Sequence, residues 1–164
     1  MSRKRVAVLI SGRGSNLQAL LQAEQDAYEV VLAISNTPEA GGLAIARAAG
    51  VEALTIDHRR FGKDRQAFER EIDACLRARG IELVALAGFM RVLTPFFVQA
   101  WAGRLVNIHP SLLPKYPGVN THQRALEAGD HEHGCTVHLV VEEVDSGEIL
   151  GQARMPIEPG DTAE

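Results

Sequence analysis

Cysteine and positive charge are the two scarcities that narrow this sequence first. Cys75 and Cys135 are the only thiols in 164 residues, and they lie far apart with neither a C-x-x-C pattern nor any metal-ligand spacing. No disulfide framework is implied, which fits a reducing compartment. Cys75 falls on the apolar stripe of an expected helix, as a small buried hydrophobe does. A formal net charge of −4 argues against a general nucleic-acid coat, which needs a net basic face. It leaves room for a local basic pocket holding a phosphate or carboxylate. Long hydrophobic runs are missing too. The apolar stretch after "MSRKR" lasts only about seven residues before a Gly-Arg-Gly, too short for a signal-peptide core or a membrane span. Repeats, low-complexity tracts and linkers are also absent. With 46% hydrophobic and 23% charged residues, the chain reads as one globular domain large enough to bury a core. A cytoplasmic protein without membrane contact is the expectation.

What is present is an alternation of apolar strands and helices. "RVAVLIS" is a β-branched run of the kind covered on both faces. It meets "GRGSN" and then "LQALLQA", where Leu17, Leu20 and Leu21 have helical spacing. "VVLAISN", "EALTI", "ELVALAG" and "RLVNIH" read as further strands, the last following a stretch interrupted by Pro95. "AGGLAIARAAG", the segment from Asp64 to Gly80 and "NTHQRALEAG" read as helices. "GCTVHLVVEEV" and "ILGQARMPI", joined by a link of five or six residues, form an expected antiparallel hairpin. The fold class is therefore α/β: a Rossmann-like open sheet, mostly parallel with an antiparallel C-terminal hairpin, and helices on both faces. At the end, Asp161 and Thr162 would suit the N-cap of another helix, so the expectation is a single domain over 1–164 lacking a C-terminal helix.

Four stretches carry chemistry. "SGRGSNLQAL" takes a strand through a Gly-x-Gly turn into a helix, which aims backbone N–H groups and a helix dipole at an anion. Gly12 and Gly14 permit close approach, and Ser15 and Asn16 add side-chain donors that also suit a helix cap. The Lys-Ser/Thr of a Walker A loop is missing, and Leu17 stands where a dinucleotide fingerprint has its third glycine. A bound phosphate monoester is the preferred reading over a tight turn alone. "LAGFMRVL" leaves Phe89, Met90, Val92 and Leu93 beyond a strand's carboxyl end, an apolar wall for a flat ring or simply a packed loop. In "LVNIHPSLLPKYPG", Asn107 and His109 are two apart on a strand and share a face. An amide donor and a proton carrier beside each other suit an oxyanion and an acid–base step. Pro110, Pro114 and Pro117 stiffen the mount. In "EEVDSGEILGQ", Asp145 is ordinary turn chemistry unless the turn folds over the ligand edge, where it would orient His109 and favour its charged form. "HEH" at 131–133 is expected as a solvated loop rather than a metal site. His122 is a candidate to cap a helix or line the pocket, and His58 is expected at the surface.

In this order, "LISGRGSNLQAL", "ISN", "LAGFMRVL", "NIHPSLLPKYPGVNTHQRAL", "HGCTVHLV" and "VDSGEILGQA" resemble the folate-dependent glycinamide ribonucleotide transformylases, from Val6 to Thr162. The resemblance implies an enzyme that moves a formyl group from 10-formyltetrahydrofolate, its cosubstrate, to the amine of 5-phosphoribosylglycinamide in purine synthesis. By that analogy Asn107 holds the formyl oxygen, His109 donates the proton, and Asp145 orients it. Gly14, Ser15 and Asn16 hold the phosphate. Met90, Arg91, Val92, Leu93 and Asn107 bind the folate, with Arg65 near its glutamate tail. The N-terminal half would then bind the ribonucleotide, and the C-terminal half would bind folate and catalyse. No metal, nucleic acid or membrane partner is implied, and the enzyme would act as a monomer or homodimer. Two related folate enzymes are rivals. A methionyl-tRNA formyltransferase would be expected to carry a tRNA-binding domain, and a formyltetrahydrofolate hydrolase a regulatory domain. A non-catalytic phosphate-binding module would need only "GRGSN".

Overall fold

A computed structural model describes residues 2–24 and 26–164, and the chain packs as two compact units that divide after Leu105. The first unit holds strands β1 (Lys4–Ile10), β2 (Tyr28–Ser35), β3 (Glu52–Thr55) and β4 (Leu83–Leu86). Its helices are α1 (Ser15–Gln22), α2 (Gly42–Ala48), α3 (Arg65–Ala78) and α4 (Pro95–Ala100), with a 3₁₀ turn at His58–Phe61. The strands are all parallel in the order β3-β2-β1-β4. β1 therefore has a strand on each side, and Val6 to Ile10 are at most 3% exposed. That is why "VAVLI" carries no polar alternation. The chain steps outward from β1 to β3 and then returns past β1 to β4. Crossovers of the usual right-handed kind along that path would put α1 and α2, which pack together, on one face and α3 on the other.

The α3 stripe behaves as its spacing predicts for Phe68, Ile72 and Leu76, all buried, while Cys75 is only half-buried. Asp64 caps α3 by accepting from Ala67 N–H at 3.0 Å. The stretch around Pro95 is a helix rather than an interruption. Pro95 occupies the first helical position, where its missing N–H costs nothing and its fixed φ is already helical. Neighbouring α3 holds both ends of α4. Buried Glu69 accepts from the Thr94 backbone N–H at 2.7 Å and from the Thr94 hydroxyl, and Asp73 accepts from Trp101 Nε1 at 2.9 Å. Glu69 thus supplies the N-cap that Thr94 itself does not.

The second unit takes over within β5 (Leu105–His109) and continues through α5 (Thr121–Glu127), β6 (Glu132–Leu139) and β7 (Ile149–Pro156). β5 pairs antiparallel with β6, and β6 antiparallel with β7, as expected for the final hairpin. The link is longer than the expected five or six residues. β6 ends at Leu139, whose N–H meets Glu148 O at 2.9 Å, so residues 140–148 form an excursion between the strands. Every residue of β7 is exposed. Among the described residues, no helix is long and apolar enough to cross a membrane.

Candidate active site

The second unit gathers four polar side chains. Asn107 and His109 project from the same face of β5, and across the antiparallel pair they lie opposite His138 and Thr136 respectively. His109 is buried, with Nε2 2.9 Å from Tyr116 O and Nδ1 3.4 Å from Asp145 Oδ1. A carbonyl and a carboxylate both accept, so each ring nitrogen faces a group that calls for an N–H. Asp145 is itself held, its Oδ2 accepting from Gly118 N–H at 2.9 Å, and its side chain is 8% exposed. The backbone of Asp145 is left-handed at φ 55, a conformation that Asp tolerates better than most residues. Beyond it Gly147 is required sterically, because a Cβ there would lie 1.6 Å from Leu139 O.

Sequence reasoning missed His138, the fourth member. Its Nδ1 meets Leu139 O at 2.9 Å and therefore donates, which leaves Nε2 to accept from Asn107 Nδ2 at 3.3 Å. His138 thereby sets which way the Asn107 amide points. The available signal was the alternation in "TVHL", where Thr136 and His138 are polar at inward positions of a half-buried strand. Thr136 also fixes the proline-rich loop, donating to Ser111 O at 2.7 Å and accepting from Leu113 N–H at 3.0 Å.

In the first unit, the turn after β1 is built as a cradle. Gly14 is left-handed at φ 83, and a Cβ there would lie 2.5 Å from the Gly42 Cα, so only glycine fits. At Gly12 a Cβ would meet nothing within 4 Å, so the fold itself does not demand that glycine. Gly14 is the N-cap residue of α1, and Ser15 and Asn16 are its first two helical residues. Neither caps the helix through its side chain, contrary to the expectation for them. Their exposed side chains and the helix N-terminus provide what an anion needs.

The stretch Met90–Leu93 is irregular backbone past β4, with Met90 71% and Val92 61% exposed. Arg65 begins α3 and donates from Nη1 to Val92 O at 3.2 Å, so the structure brings these two predicted contributors together. His58 departs from its expected surface position. It is half-buried, with Nδ1 3.1 Å from Asn36 Nδ2 and 3.0 Å from Asn36 O. The "HEH" segment is solvated at His131 and Glu132, as expected, but not at His133. Glu132 and His133 begin β6, and His133 is buried with Nε2 2.8 Å from His122 Nδ1. Burial, followed by the charge of His122, pushes the His133 imidazole below its ordinary range. Among the described residues, no group of three or more His, Cys, Asp or Glu is arranged to hold a metal ion.

The first unit holds a parallel crossover sheet and the second a hydrogen-bonded Asn-His-Asp set, features of an α/β enzyme. The family model described as "Formyl transferase" matches residues 4–164. Phosphoribosylglycinamide formyltransferase of Escherichia coli (strain K12) is 47% identical over 162 residues, covering 97% of this chain and 76% of that protein. The crystal structure of phosphoribosylglycinamide formyltransferase from Brucella melitensis superposes with a TM-score of 0.91 at 48% identity, covering 98% of this chain and 84% of the other. This chain belongs to the phosphoribosylglycinamide formyltransferases, enzymes of the formyl transferase family. It is also 55% identical to the trifunctional purine biosynthetic protein adenosine-3 of Drosophila melanogaster, of whose length it spans 12%.

Proposed function

We propose that this chain transfers the formyl group of 10-formyltetrahydrofolate to the amine of 5-phosphoribosylglycinamide, releasing tetrahydrofolate and the N-formyl ribonucleotide in purine synthesis. The observation that carries this reading is the composition of the set around His109. It offers an amide, an imidazole and a carboxylate, Asn107, His109 and Asp145, while the neighbouring Ser111 hydroxyl donates to the Lys115 and Tyr116 carbonyls rather than to His109. That suits a reaction whose nucleophile arrives with the substrate. As the substrate amine bonds to the formyl carbon, negative charge develops on the formyl oxygen, and the Asn107 amide N–H is the donor for it. His109 gives a proton to the leaving folate nitrogen as its bond to the formyl carbon breaks, and the proton that the attacking amine sheds on becoming an amide returns the ring to its starting state. Asp145 keeps the ring oriented and compensates its charge. The His109 Nε2–H serves either the Tyr116 carbonyl or the substrate, so reaction requires that this 2.9 Å hydrogen bond be exchanged.

Gly14, Ser15 and Asn16 take the ribonucleotide phosphate, with the α1 N-terminus adding its partial positive charge. Met90, Arg91, Val92 and Leu93 bind the folate ring together with Asn107, and Arg65 serves its glutamate tail. On this reading residues 1–164 act as a single formyltransferase domain. The N-terminal half binds the ribonucleotide, and the C-terminal half carries the folate-binding and catalytic groups. The partners are small molecules rather than nucleic acid or membrane, no metal takes part, and the enzyme works in the cytoplasm as a monomer or homodimer. Incubation of the protein with both substrates tests this, following tetrahydrofolate release and the formylated ribonucleotide together. Absence of either product overturns the proposal.

A further inference from the structure

The "ISN" that ends β2 found no use in the reading above, and its Asn36 is a buried polar side chain at 5% exposure. It belongs to a chain of hydrogen bonds across three strand ends. The Ser11 hydroxyl, one residue past β1, donates to Asn36 Oδ1 at 2.5 Å and accepts from the Met90 backbone N–H at 2.8 Å. Asn36 Nδ2 in turn lies 3.1 Å from His58 Nδ1. β1 stands between β2 and β4, so Ser11 is at the centre of the edge where all three strands end. The only proton on its oxygen is committed to Asn36, which leaves the lone pairs turned to Met90. Ala87 N–H is held by Leu9 O at 3.0 Å, and Val92 O is held by Arg65. Between those two points the bond from Ser11 fixes the backbone that presents the exposed Met90 and Val92 side chains.

We infer that Ser11 is a positioning residue for the formyl donor: it sets the backbone of the Met90–Leu93 stretch while itself touching neither the phosphate nor the reacting atoms. This rests on the reading that Met90–Leu93 bind the folate. Loss of one such hydrogen bond predicts that Ser11→Ala raises the KM for 10-formyltetrahydrofolate by roughly five- to tenfold. The kcat and the KM for the ribonucleotide should stay within about twofold, and Ser11→Thr, which keeps the hydroxyl, should restore most of the donor KM. A purely structural role would instead raise both KM values together and give no rescue.

Steady-state kinetics with each substrate varied, alongside thermal melting and the amide resonance of Met90, read this directly. An unchanged donor KM in a folded Ser11→Ala protein overturns the assignment, as does an equal rise for both substrates. The double variant Met90→Ala/Val92→Ala separates the two layers. If it leaves the donor KM unmoved, the folate reading of that stretch fails. If it raises the donor KM while Ser11→Ala does not, only the role of Ser11 fails.

Discussion

The two units bury opposite kinds of side chain. In the first, β1 is apolar and sealed from Val6 to Ile10, and the buried polar groups are Ser35, Asn36 and Glu69. In the second, the buried apolar residues are Leu112, Leu113 and Ala125, against six buried polar ones: His109, Ser111, Thr121, His133, Thr136 and His138. Meanwhile the apolar Ile149, Leu150 and Met155 of β7 are about half exposed. Burying an unpaired polar group costs of order 1–3 kcal/mol, so an interior of this kind contributes little stability unless every group is paired. Among the described residues, no buried side-chain nitrogen or oxygen lacks a partner. The first unit thus fills its interior with apolar side chains, and the second fills its own with oriented donors and acceptors. Chemistry near neutral pH needs such groups held in place and shielded from water, which an apolar core does not provide.

This contrast has consequences that mutation can break. The largest effect belongs to His109→Ala, which should lower kcat by roughly 10²–10⁴-fold, with a lower melting temperature as well because Asp145 loses its buried partner. A loss of less than about tenfold would reduce His109 to a strand-end residue. Leu9→Ala, in the sealed centre of β1, should spare turnover. Equilibrium urea unfolding should show a loss of about 2–5 kcal/mol, with kcat per folded molecule preserved. If Leu9→Ala harmed turnover more than stability, the division of labour between the units would be wrong.

The smallest effect is a pH dependence confined to the second unit. His133 is held below its ordinary range by burial first and His122 second, so the unfolded chain binds a proton there more readily than the folded one. The contribution of this residue is fully present above the unfolded value of about 6.5 and is lost as pH falls through the lowered folded value. His133→Gln should flatten that part of the melting profile on the acid side. An identical slope in the variant would assign the effect elsewhere.

The strands and the parallel architecture were legible because continuous β-branched runs and interposed helical stripes reflect burial directly. Asn107 and His109 were legible as a pair because strand periodicity places i and i+2 on one face whatever the rest of the chain does. Other features depended on neighbours distant in sequence. Pro95 read as a break because Glu69, the residue that caps the helix it starts, is 25 positions away from Thr94. His138 was invisible as a partner until antiparallel register placed it opposite Asn107. His133 read as solvated with the rest of "HEH" because its polarity is local, whereas its burial against His122 is not.

The sequence by itself determined the local directions: which residues alternate, where glycine must stand, and which polar groups share a strand face. Only the tertiary structure decided which nitrogen of His109 meets Asp145, which way Asn107 is turned, and that Ser11 holds Met90. Local periodicity follows from backbone geometry within a few residues. A hydrogen bond between residues 79 positions apart, as from Met90 to Ser11, exists only after the sheet has brought the strand ends together.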